Sequence, residues 1–162
     1  MFAFDLTPPP YHHLTLCIAG NANYPNPPAW GYSYHLNGLE SPSVRVVRGT
    51  TYTFRVEAGE QHPLYITDSS VGRGGGKVYA GGPDSGGTPA EPFTLTWTPD
   101  ATTPDRVFYQ CFVHAKLGWE ILVSNTPSGS ETPSGPASAL LSSRWHLPAL
   151  SLGALAWALV LA

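Results

Sequence analysis

The stretch Thr51-Tyr52-Thr53-Phe54-Arg55-Val56 alternates polar and apolar side chains without a break. Successive side chains of an extended chain point to opposite faces. Tyr52, Phe54 and Val56 therefore share one face, and Thr51, Thr53 and Arg55 the other. Such a segment is a strand with one buried and one wet face. Ahead of it, Gly49 reads as a turn and implies a hairpin-like join to residues 44–47. The strand itself is predicted over 50–56. Similar short runs of aromatic and β-branched residues, bounded by Gly, Pro, Asn and Asp, predict strands at 14–19, 32–36, 64–67, 93–97, 107–111 and 119–123. No stretch before the C-terminus places apolar residues at helical spacing. The chain reads as all-β, and this many short strands imply a sandwich.

Composition points the same way. Gly and Pro number 17 each among 162 residues, and the net charge is only −3, so no strongly electrostatic partner such as nucleic acid is implied. One ordinary domain fits this length and is placed at residues 14–123. An N-terminal extension, 1–13, precedes it, and a stalk rich in Pro, Ser and Gly, 124–146, follows; the stalk has too little apolar content to build a core. Residues 68–92, DSSVGRGGGKVYAGGPDSGGTPAEP, are rich in Gly but hold no G-x-x-x-x-G-K-[ST] pattern. They read as a surface loop rather than a phosphate cradle.

The termini carry targeting signals that conflict. MFAFDLTPPPYHH lacks a basic segment followed by an apolar core, so it is not a secretory signal peptide. The apolar tail at 147–162 is shorter than the roughly 20 residues that span a bilayer. Small residues, a polar spacer and an apolar tail together form the pattern of a GPI-anchor signal, with cleavage near Ser134 or Ala137; a tail-anchoring helix is the alternative. A GPI signal acts only on a chain that enters the secretory pathway. The expectation is a cell-surface protein whose first residues here lie inside a longer precursor.

Chemistry concentrates in Phe108-Tyr109-Gln110-Cys111-Phe112-Val113-His114-Ala115-Lys116-Leu117-Gly118. A thiolate and an imidazole two residues apart, on a loop that closes a strand, can reach one soft metal ion together. His62, in Gln61-His62-Pro63-Leu64-Tyr65-Ile66, begins a strand after a turn-rich segment and is the third candidate ligand. His12, His13, His35 and His146 read as surface or hydrogen-bonded residues.

These residues resemble the cupredoxin family of blue copper proteins, in which an isolated His is followed much later by Cys, His and Met at short spacings. The resemblance implies a cupredoxin-like Greek-key β-sandwich holding one copper ion. Its ligands are His62, Cys111 and His114, and Leu117 takes the place of the weak axial Met. With no axial thioether, a raised reduction potential is expected; Pro63 also has no N–H to offer the thiolate. His62-Pro63 is also similar to the H-P-x-H-x-H motif of multicopper oxidases. The later His positions are Tyr65 and Thr67, and Gln110 stands where those oxidases place a His before the Cys. A trinuclear site is therefore missing, and the expected role is not an enzyme but a one-electron carrier. Phe112, Val113, Ala115 and Leu117 would form the apolar patch around His114 where a redox partner docks. Copper storage or delivery would use the same ligands.

A second resemblance stays open. Cys17, Trp30 and Tyr109-x-Cys111 imitate the immunoglobulin pattern, which implies a Cys17–Cys111 disulfide. That bond would consume the thiolate and leave a metal-free sandwich for adhesion or wall organisation. A degenerate cupredoxin without metal would have the same role.

Overall fold

A computed structural model describes residues 3–5, 13–22 and 31–127. In chain order the strands are β1 Ala3–Asp5, β2 His13–Gly20, β3 Tyr32–Leu36, β4 Leu39–Glu40, β5 Ser43–Val47 and β6 Tyr52–Val56. They continue with β7 Leu64–Thr67, β8 Val78–Gly81, β9 Phe93–Trp97, β10 Arg106–Cys111 and β11 Glu120–Ser124. No helix occurs among the described residues. A six-stranded sheet runs β1-β5-β11-β10-β7-β8, and a five-stranded sheet runs β4-β3-β2-β6-β9. This is the all-β, two-sheet sandwich expected from the sequence.

The alternation at 52–56 is realised as written: Tyr52, Phe54 and Val56 are fully buried, while Arg55 is exposed. They meet Val44, Val46, Val107, Ile121 and Val123 from the six-stranded sheet in a single core. Burying each such aliphatic or aromatic side chain contributes about 1.5–3 kcal/mol. Tyr52 also joins the sheets through a hydrogen bond, its hydroxyl accepting the Val47 N–H at 2.8 Å.

The turn at Gly49 is present but does not make a hairpin. The Thr50 N–H donates to the Val47 carbonyl, and Gly49 has φ +79°, the left-handed conformation that the third position of a type II turn requires. The chain leaves this turn for the opposite sheet, so β5 and β6 face each other across the core instead of pairing. Three strands lie in stretches where none was predicted. β1 pairs in parallel with β5, β4 closes against β3, and β8, inside the Gly-rich segment, pairs with β7. Residues 128–162, and with them most of the predicted stalk and the whole apolar tail, lie outside the described residues.

Candidate metal centre

Strand register brings the candidate ligands to one end of the sandwich. β7 and β10 are antiparallel neighbours with Cys111 opposite Leu64, so His62, just ahead of β7, and Cys111, the last residue of β10, arrive together. The His62 N–H closes a turn onto the Gly59 carbonyl at 3.0 Å. Its own carbonyl accepts the hydroxyl of fully buried Tyr34 at 2.8 Å. Beyond Cys111 the chain doubles back at once: the His114 N–H donates to Cys111 Sγ at 3.3 Å, and His114 Nδ1 lies 3.7 Å from that sulfur. The two imidazole rings stand 4.8 Å apart, tilted by 38°. The ligand atoms of His62, Cys111 and His114 all lie within 4.8 Å of one another.

This donor set fits a metal ion. Bonds of roughly 2.0–2.3 Å to a thiolate and two imidazoles in a trigonal set place donors roughly 3.5–4 Å apart, close to the 3.7 Å between Cys111 Sγ and His114 Nδ1. Burial and the neighbouring His114 lower the His62 pKa, favouring the neutral ring that a metal needs. Burial pushes the Cys111 thiol up, opposed by the N–H groups of His114 and Val113 and by the Tyr34 hydroxyl. Metal binding would therefore release a proton from Cys111. Among the described residues no other such cluster of His, Cys, Asp and Glu forms, and His13 and His35 stand apart from this one.

Leu117 is fully buried in the core beside Cys111, its carbonyl held by the Tyr34 N–H at 2.8 Å. It therefore drops out of the surface patch expected around His114. Val113 is half exposed, Phe112 and Ala115 are partly so, and Val71, also half exposed, comes from the Gly-rich segment. The disulfide alternative is not the arrangement found, because both cysteines are free. Leu14 and Leu16 take the inward positions of β2, which turns Cys17 to the outer face while Cys111 faces the core. Trp30, the other element of that reading, lies outside the described residues, as do His12 and His146.

A family model described as the At5g54830-like domain matches residues 11–125. The chain belongs to that family. Protein Skeletor, isoforms B/C, of Drosophila melanogaster is 34% identical over 153 residues, covering 60% of this chain and 20% of its own length. The Arabidopsis thaliana protein named "Cytochrome b561, DM13 and DOMON domain-containing protein At5g54830" is 32% identical over 116 residues, covering 68% of this chain and 13% of its own length. This chain thus spans a fifth or less of these relatives. Among solved structures, rusticyanin from Thiobacillus ferrooxidans is similar at 23% identity and a TM-score of 0.45, over 69% of this chain and 76% of its own.

In this At5g54830-like domain, sequence reasoning missed Tyr34, which has no motif and meets His62 only through the fold. Tyr34→Phe deletes the bond to the His62 carbonyl. It is expected to weaken binding of a metal ion offered to this site by about 10–100-fold, as loss of an outer-shell partner does, and to cost about 1–2 kcal/mol of stability. Chelator competition and urea unfolding check both, and unchanged affinity would show that Tyr34 does not orient His62.

Proposed function

We propose that this domain holds one copper ion at His62, Cys111 and His114 and passes single electrons to and from a partner, without catalysing a reaction of its own. The observation that carries this reading is the convergence of one thiol and two imidazoles, all within 4.8 Å, at the end of a two-sheet core. Bound copper would supply a one-electron couple between Cu(II) and Cu(I), both compatible with soft trigonal ligation. The protein's part is to present the imidazoles of His62 and His114 and the deprotonated thiol of Cys111 from just ahead of β7, from the end of β10 and from the loop that follows it. The Cys111 sulfur accepts the His114 N–H, while Pro63 offers only its carbonyl, which accepts the Phe112 N–H at 2.8 Å.

Leu117, which by resemblance takes the place of a Met ligand, would offer a bound Cu(II) no further donor. Leu117→Met should lower the reduction potential, measured by redox titration; an unchanged or higher value would count against Leu117 facing the metal.

Val113, Phe112 and Ala115, with Val71 beside them, are the proposed docking patch, and the cationic Arg73 and Lys116 suit a partner with acidic residues. The name of the Arabidopsis relative, which joins a cytochrome b561 to a DOMON domain, supports a redox setting for this domain. The test is to add Cu(II) to the purified full chain and record visible absorption and the free-thiol count. An intense thiolate-to-copper band supports the proposal. A colourless protein after Cu(II) addition overturns it.

A further inference from the structure

The Gly-rich segment does more than cover the surface. Tyr65, Thr67 and Gln110, the positions where a trinuclear oxidase would carry His, form a layer on the outer face of β7 and β10. The hydroxyls of Tyr65 and Thr67 both donate to the Gly75 carbonyl at 2.9 Å. Fully buried Gln110 reaches both loops at once. Its amide nitrogen donates to the Ser70 carbonyl at 3.1 Å and the Gly118 carbonyl at 2.9 Å, and its Oε1 accepts the Gly118 N–H at 3.2 Å. Gly118 is the far end of the loop that starts at Cys111, so one side chain closes its neck.

The two loops also meet backbone to backbone. The Arg73 N–H donates to the Cys111 carbonyl at 2.9 Å, the Lys116 N–H to the Val71 carbonyl at 2.7 Å, and Gly72 bridges to Ala115. Arg73 and Lys116 lie at φ 58° and 59°, left-handed conformations that non-Gly residues keep only where the surroundings fix them. Glycine suits position 72 on two counts, a left-handed φ of +76° and a close approach in which a Cβ would lie 3.0 Å from the Gln110 side chain.

Resting on the reading of His62, Cys111 and His114 as metal ligands, we propose that Gln110 is a positioning residue. It clamps the Cys111–Gly118 loop to the Gly-rich segment and thereby sets the shape in which Cys111 and His114 meet a metal before any metal arrives. Gln110 touches neither the ion nor a substrate. It acts through the loop.

Gln110→Met tests this in the metal-free full chain, because methionine keeps most of the volume and none of the three hydrogen bonds. The readout is hydrogen exchange at the Lys116 and His114 amides, neither of which bonds to Gln110. Their exchange is expected to rise roughly tenfold while Val107 and Ile121, in the same strand pair, stay protected. A space-filling role would leave Lys116 and His114 unmoved, and that result in a folded variant overturns the proposal. If the Met variant does not fold, Gly72→Ala, which presses on Gln110 from the Gly-rich loop, is judged by the same amides and the same criterion. Cu(II) added afterwards should bind the variant about 10–100-fold more weakly than the parent, and equal affinity also counts against the clamp. A parent chain that takes up no copper overturns the metal reading instead, while the exchange rates still decide what Gln110 does.

Discussion

Cys111→Ser is expected to abolish the thiolate-to-copper absorption of the proposed centre and to weaken its Cu(I) binding by more than the roughly 10–100-fold typical of outer-shell changes. The serine hydroxyl is a hard, weakly acidic donor that stays protonated where a metal-bound thiol does not, so the soft ligand that favours copper is gone. The fold should survive. Serine is close to cysteine in size, and its Oγ can still accept the His114 N–H that Cys111 Sγ receives at 3.3 Å. Unfolding in urea should then show a loss of no more than about 1–2 kcal/mol, the cost of placing a hydroxyl among core side chains. Visible spectroscopy and competition with a Cu(I) chelator check the first part. A Ser variant that keeps the band would place the chromophore elsewhere.

Gly118→Ala should produce the largest loss of stability. A Cβ at this position would overlap the Tyr109 carbonyl oxygen and approach the Tyr109 ring to 2.9 Å. The Tyr109 N–H meanwhile bonds the Trp119 carbonyl at 3.0 Å, which holds the two chain segments together at this point. Backbone is not a flexible side-chain tip that can step aside. The conflict is one of space and not of left-handed conformation, so no rotamer relieves it. We expect a cost of at least about 3 kcal/mol, a large part of the total stability of a domain of this size. Gly38 differs, because a Cβ there meets nothing and only its positive φ resists substitution. Urea unfolding of the Ala variant checks the estimate, and a loss below about 1 kcal/mol would mean the neck opens easily.

Period-two patterning made much of the fold legible, because it reports which face of a strand is buried. It does not report which strand lies alongside. Gly49 was thus readable as a turn, while the passage of the chain into the opposite sheet was not. β8 was hidden because Gly81 and Gly82 end it inside a run that looks like loop. β4 spans only Leu39–Glu40, too short to show a period. At the site, residue type and spacing singled out His62, Cys111 and His114. The residues that support them left no local trace: Tyr34 comes from the other sheet, and Gln110 matters only because β7 and β10 bring the Gly-rich segment over it. Leu117 shows a further limit. An apolar residue in a ligand loop reads the same whether it faces solvent or the core, and the structure gives it to the core.

The position of β11 bears on how the protein is made. This last described strand lies inside its sheet, between β10 and β5, and pairs in parallel with β5 through Ile121 and Val44. A nascent chain that has emerged only as far as Gly118 would leave both neighbours with open edges, surfaces prone to pairing with other chains. Pairings so distant in sequence close slowly, on a scale of roughly milliseconds to seconds. The framework around His62 and Cys111 is therefore complete only once β11 has joined its sheet, which makes the final described strand a condition for the geometry of the proposed centre.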